Sequence, residues 1–161
     1  MSEYIHGADV RVEISVDADV ERAFAVFTEQ GHTWWPAPYK LGQGGARTGL
    51  VIEPKAGGRW YETTDDGAEC AWGTVLAFDA PNHLALSWAI TPTFAPEPDE
   101  NKASRVDVTF AADGAGKTTV VLVHSQLERH GDGWEQARDG LADQGAWPGV
   151  LAAYAALASS T

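Results

Sequence analysis

Between residues 48 and 126 the chain reads as strand after strand, all but one pair joined by turns too short to hold a crossover. The strand-length segments lie at about 48–53, 58–64, 69–79, 83–90, 105–112 and 118–126. Their separators are turn chemistry: Pro54 to Gly57, Asp65-Asp66-Gly67, Pro81-Asn82 and Asp113-Gly114-Ala115-Gly116. A parallel neighbour needs a connection of about a dozen residues or more, so these short linkers favour an antiparallel meander. The one long connection, 91–104, is rich in Pro and acid (Pro92, Pro96, Glu97, Pro98, Asp99, Glu100). It reads as an exposed mobile loop, either a lid or a solvated excursion.

Both ends of the chain supply what the meander lacks. Val10, Val12, Ile14 and Val16 alternate with polar residues and predict a half-buried strand. Asp19 is placed to cap a helix whose apolar stripe is Ala23, Phe24 and Phe27, with Gly31 ending it. The segment Thr33-Trp34-Trp35-Pro36-Ala37-Pro38 is too Pro-rich for a long helix and reads as a single turn or loop. Helix returns at 134–142 and again from Trp147, with Pro148 in the first turn. Trp147, Leu151, Tyr154, Ala155 and Ala158 mark the buried face of that last helix. A length of 161 residues and no repeats argue for one domain over 1–161, with its core at about 10–158. A curved antiparallel sheet must have one face covered, and the terminal helix is the element available.

Charge and cysteine content exclude several roles. Eleven basic against 23 acidic residues leave a net charge of −12, a field that repels phosphate backbones and anionic headgroups. Nucleic acid and membrane surfaces are therefore not expected partners. Cys70 is the sole cysteine, so neither an internal disulfide nor a thiolate metal cluster can form. The first residues lack the basic start and apolar run of a secretory signal, and a cytoplasmic location is expected. The histidines His6, His32, His83, His124 and His130 show no metal-ligand spacing, and no Ser or Cys sits in a nucleophile motif. Gly42-Gln43-Gly44-Gly45 and Asp113 to Thr118 superficially suggest phosphate loops. The second lacks the first glycine at the required spacing and sits in a hairpin. No metal and no cofactor are expected.

The densest information lies between Gly57 and Trp88: Gly57-Gly58-Arg59-Trp60, Asp66-Gly67, Gly73-x-Val75, Pro81-x-x-Leu84 and Trp88. Together with Asp19-x-Glu21…Phe24, Trp34-Trp35, Val106-x-Val108-x-Phe110, Val120-x-Leu122-x-His124 and Gly145-Ala146-Trp147-Pro148, these resemble one family. It is the activator-of-Hsp90-ATPase homologue group of the START-like, or polyketide-cyclase-like, superfamily. The resemblance spans about 10–158. It implies an α+β helix-grip fold, in which a curved antiparallel sheet wraps a long C-terminal helix, and it implies a cavity between them. The superfamily is known for small-molecule binding, with a minority of enzymes.

The family pattern also implies that Trp60 and Glu62 point into the concave face and Arg59 and Tyr61 away. By alternation, Leu84, Leu86 and Trp88 share a face, as do Val120, Leu122 and His124. Trp72 falls with Thr74, Leu76 and Phe78 unless a bulge near Gly73 reverses it. Glu62 in an apolar cavity must be paired, hydrogen-bonded or protonated. It can then orient a cationic or hydroxylated ligand or act as a general base, or it can reach solvent or an arginine from a strand end. His124 can relay a proton or donate to a ligand carbonyl, or it can be a structural histidine. Trp34, Trp35, Trp60, Trp88 and Trp147 are either core or the aromatic wall of a ligand site.

The leading expectation is a binder of a small apolar or aromatic molecule, non-enzymatic or weakly so. Its ligand-binding candidates are Trp34, Trp35, Trp60, Glu62, Trp88, His124 and Trp147. A cyclase-, aromatase- or hydrolase-like enzyme with Glu62 or His124 as general base is the alternative. A cochaperone-like interaction domain with a chaperone partner is a third reading, and a homodimer is compatible with the sequence.

Overall fold

The alternating segment near the N-terminus forms strand β2 (Asp9–Val16), preceded by a two-residue strand β1 (Ile5–His6) that pairs with it. This computed structural model describes residues 5–35, 47–143 and 146–159. Asp19 caps helix α1 (Val20–Glu29) as its chemistry predicts, its carboxylate accepting from the Arg22 amide at 2.8 Å. Gly31 does more than end that helix: it opens a one-turn helix α2 (Gly31–Trp34). The 36–38 part of the Pro-rich stretch, the 42–45 glycine run and Gly145 lie outside the described residues.

The meander follows as β3 (Arg47–Ile52), β4 (Arg59–Thr64), β5 (Glu69–Asp79), β6 (His83–Trp88), β7 (Ser104–Ala112) and β8 (Thr118–Ser125). All pairings are antiparallel, and the strand order is β1-β2-β8-β7-β6-β5-β4-β3. Helices α3 (Trp134–Ala142) and α4 (Trp147–Ser159) close the chain. The result is the α+β helix-grip fold, with α4 packed against β2 and α1. Buried Trp147, Val150, Leu151, Tyr154 and Ala158 form the gripped face of α4. The Tyr154 hydroxyl donates to the Ala23 carbonyl at 2.6 Å and ties α4 to α1. Burial raises the pKa of that phenol well above its ordinary value.

The 91–104 connection is held at its base and along its length. Ile90 bridges Pro96, and the Glu97 amide donates to the Ala89 carbonyl at 2.8 Å. Thr74 donates to the Glu100 carboxylate at 2.6 Å, and Arg129 donates to the Asn101 carbonyl at 3.1 Å. It is a tethered excursion over the sheet end. No helix among the described residues is long and apolar enough to cross a membrane.

Candidate functional site

Six of the seven tryptophans gather in one cluster at the concave face. Trp35, Trp72, Trp88 and Trp147 form a closed circuit, with successive ring centroids at 5.1, 6.2, 5.3 and 5.7 Å. Trp60 joins it through Trp72 at 5.1 Å, and Trp34 through Trp35 at 5.5 Å. Trp88–Trp147 and Trp34–Trp35 are tilted and the other pairs edge-to-face. Edge-to-face pairs contribute about 0.5–1.5 kcal/mol each beyond the area they bury. The seventh, Trp134 of α3, is half-buried against the edge of the core, with the Arg138 guanidinium over its ring.

Strand alternation accounts for most of this arrangement, and one bulge accounts for the rest. On β4, Trp60, Glu62 and Thr64 are buried while Arg59 is exposed and Tyr61 and Thr63 are half-buried. Across from them the register steps from Trp60↔Gly73 to Tyr61↔Ala71, so Trp72 is the extra residue of a β-bulge. The bulge turns Trp72 inward, where it is fully buried. Gly73 beside it is a close-approach position. A β-carbon there would lie 2.0 Å from the Ser87 carbonyl oxygen and 2.5 Å from Trp60 Nε1. The missing side chain lets the Trp60 indole cross β5 and donate to that carbonyl at 2.8 Å.

Both polar residues of the inward set serve the indoles. Glu62, 0% exposed, accepts from Trp72 Nε1 at 2.8 Å. Arg47, whose pKa burial lowers, is supported in return by the Glu62 charge, and it donates to the Trp35 carbonyl at 2.5 Å. His124, also 0% exposed, accepts from Trp147 Nε1 at its Nδ1, 3.0 Å away. Its Nε2 lies 2.6 Å from Ser104 Oγ, which in turn lies 2.7 Å from His130 Nε2. Burial, with His130 adding to it, pushes the His124 pKa down to about 3. His130 is 8% exposed, and its pKa is also lowered, mainly by burial. Its Nδ1 has no hydrogen-bond partner among the described residues.

Between the sheet, α1, α2 and the start of α4 the indoles leave a void of only about 10 Å³, touching Trp34, Trp35, Trp60 and Trp147. A cavity of about 860 Å³, between α1 and β3, has no indole in its wall. A smaller one of about 530 Å³ lies at one end of the cluster. Trp35, Trp88 and Trp147 wall its inner side. Ala137, Gly140 and Leu141 of α3, Val150 of α4, and Ile90, Pro92 and Phe94 surround the remainder. Its polar residues are Thr91, His130, Gln136 and Asp143. Phe94 is 43% exposed and holds a left-handed backbone with φ of 62°, which is uncommon for a bulky residue and is found mainly at turns and strained functional sites.

The expected site residues thus separate into two groups. Trp35, Trp88 and Trp147 line the cavity, whereas Trp34, Trp60, Glu62 and His124 stand behind them in the packed cluster. Sequence reasoning missed Ser104 and His130. Ser104 had a readable signal, because it continues the buried alternation Val106-Val108-Phe110. His130 had none, since it follows a left-handed turn at Gln126 and lies on a 3-10 turn (Leu127–His130). Among the described residues no group of three or more His, Cys, Asp or Glu can hold a metal ion. Burial raises the pKa of the Cys70 thiol, which disfavours the thiolate.

Comparison with known proteins agrees with this architecture. Residues 17–148 match the family described as activator of Hsp90 ATPase homolog 1-like protein. The anthrahydroquino-γ-pyrone synthase Txn09 is 40% identical over 98% of this chain and 99% of its own, with a TM-score of 0.66. The self-sacrificing resistance protein CalC from Micromonospora echinospora is 28% identical over 93% of each chain, also with a TM-score of 0.66. Ms6760 from Mycobacterium smegmatis shares the fold at 19% identity, covering 100% of this chain and 97% of its own, with a TM-score of 0.67. No functionally curated protein matches the chain significantly. By sequence and by fold, the chain belongs to the activator of Hsp90 ATPase homolog 1-like family.

Proposed function

We propose that this protein binds a flat aromatic small molecule in the 530 Å³ cavity, stacked against Trp35, Trp88 and Trp147. The observation that carries the reading is the coincidence of these three indoles on one open, mainly apolar cavity. Its volume suits a fused-ring ligand. Indole faces give contact area at little conformational cost, because they are already fixed against one another. Glu62 and His124 support the wall from behind by holding indole N–H groups. The relation to a protein named as an anthrahydroquino-γ-pyrone synthase favours a polycyclic, polyketide-like ligand. Titration with a hydroxyanthraquinone should quench tryptophan fluorescence and raise the unfolding temperature. Flat responses across a series of two- to four-ring aromatics would sink the proposal.

A second reading, ring-closing catalysis on such a ligand, is favoured by the same 40% identity. In this chain a polar group at the cavity would handle the proton in place of Glu62 or His124, since neither lines the cavity. Under this reading a ring-open aryl ketone would be converted by the wild type, and Glu62→Gln would retain most of the rate. Conversion no faster than in buffer would exclude it.

A further inference from the structure

The hydrogen bonds behind the cavity fix one proton outright and favour a single arrangement of the others. An indole N–H can only donate, so His124 Nδ1 must be the acceptor for Trp147 and carries no proton. Neutral His124 then holds its proton on Nε2 and donates to Ser104 Oγ. The Ser104 oxygen has a second lone pair and could accept from His130 as well. Its own hydrogen would then have no acceptor among the described residues, since its hydrogen bonds run to these two imidazoles. Donating to His130 Nε2 leaves fewer groups unpaired. The proton of a neutral His130 is left on Nδ1. That atom is buried without a partner, and His130 is one of the residues lining the cavity. A buried N–H left unpaired is costly, so the position calls for an acceptor brought by whatever fills the cavity.

We propose that His130 Nδ1–H is the fixed hydrogen-bond donor of the cavity, and that it selects aromatic ligands bearing a carbonyl or phenolic oxygen. Trp147, His124 and Ser104 are the positioning residues that lock its tautomer. The inference rests on the aromatic-ligand reading given above and adds the polar half of the recognition. Burial keeps both histidines neutral near pH 7; at His130 the nearby Arg129 acts in the same direction and Glu97 against it. Presenting a lone pair from His130 Nδ1 would either strand the Ser104 hydrogen without an acceptor or force His124 to release the Trp147 indole. A ligand offering an N–H at this point therefore meets another donor, and the lock makes the choice one-sided.

Two measurements test this. Long-range nitrogen–proton NMR of the ligand-free protein should find His124 protonated on Nε2 and His130 on Nδ1. A His130 proton on Nε2 would overturn the proposal. Equilibrium dialysis should then compare anthraquinone with anthracene, which share a three-ring outline and differ in their carbonyls. The wild type should prefer the quinone by about tenfold. The quinone-over-anthracene preference, taken as a ratio within each protein, should vanish in His130→Phe and shrink in Ser104→Ala. Should His130→Phe not fold, Ser104→Ala alone must show both the reduced preference and a shifted His130 tautomer. Equal binding of both compounds by the wild type overturns the donor and leaves the aromatic-ligand reading standing. Binding of neither overturns both.

Discussion

The carboxylate of Glu62 accepts the indole N–H of Trp72 at 2.8 Å, with both side chains fully buried. Trp72 reaches that position only because the β5 bulge turns it inward. Replacing Trp72 by Phe keeps an aromatic ring in place but withdraws a donor from a buried carboxylate. Hydrogen bonds to charged groups contribute about 1.5–3 kcal/mol, and the loss should be of that size. Urea unfolding reads it directly; a midpoint unchanged from wild type would mean that Glu62 does not depend on this indole.

Gly73→Ala should be among the most damaging single substitutions. Its β-carbon would meet the Ser87 carbonyl and the Trp60 indole nitrogen, and the carbonyl belongs to the neighbouring strand's backbone. Relief requires either separating β5 from β6 or expelling Trp60. The expected cost is about 3 kcal/mol or more, seen as a loss of thermal stability and a red shift in tryptophan emission. Wild-type stability would contradict the close-approach role.

Much of this arrangement is legible in the sequence, and its limits have physical causes. Alternation is enough to put Trp60 and Glu62 on one face of β4 and Arg59 on the other, because a strand without irregularity has a strict period of two. It fails at Trp72, where the direction depends on an extra residue that only pairing with β4 defines. Glu62 and His124 read correctly as inward polar residues, but an isolated sequence does not reveal which indole each one serves. The cavity's position was also hidden, since it depends on how the cluster fills the space under α4 and leaves room beside α3. His130 enters the site through a chain reversal after β8 that carries no helical or strand spacing.

Acid should destabilise the protein through His124. The pKa of His124 is about 3 in the folded chain against an ordinary value of about 6.5 in the unfolded one. Between those values the unfolded state binds a proton that the folded state does not. Stability is therefore complete above about pH 6.5 and falls as the pH drops, by up to about 1.4 kcal/mol per pH unit. His130, shifted the same way, adds to the same limb. Urea midpoints measured from pH 7 to pH 4 check this, and His124→Gln should flatten the slope. A wild-type midpoint constant over that range would contradict the buried neutral imidazole.

Phe94 combines a left-handed backbone with a half-exposed ring at the cavity. Phe94→Gly should relieve strain of about 1–2 kcal/mol. The greater freedom of glycine in the unfolded chain offsets roughly half of it or more. The unfolding temperature should therefore stay near that of wild type while affinity for an anthraquinone falls about threefold to tenfold. Isothermal titration alongside calorimetric unfolding separates the two effects. Unchanged affinity would remove Phe94 from the binding wall.

The central claim is that the space beside α3 holds the ligand, and filling that space tests it most directly. Ala137 and Gly140 line the cavity one turn apart on α3, and a β-carbon added at Gly140 meets nothing within 4 Å. Leucine is a better helix former than glycine, so Ala137→Leu with Gly140→Leu should fold with wild-type or higher stability. The measurement is the dissociation constant of an anthraquinone for this double variant beside the wild type. The account predicts that binding weakens by more than about tenfold while the unfolding temperature holds. Wild-type affinity in a stably folded double variant would contradict it.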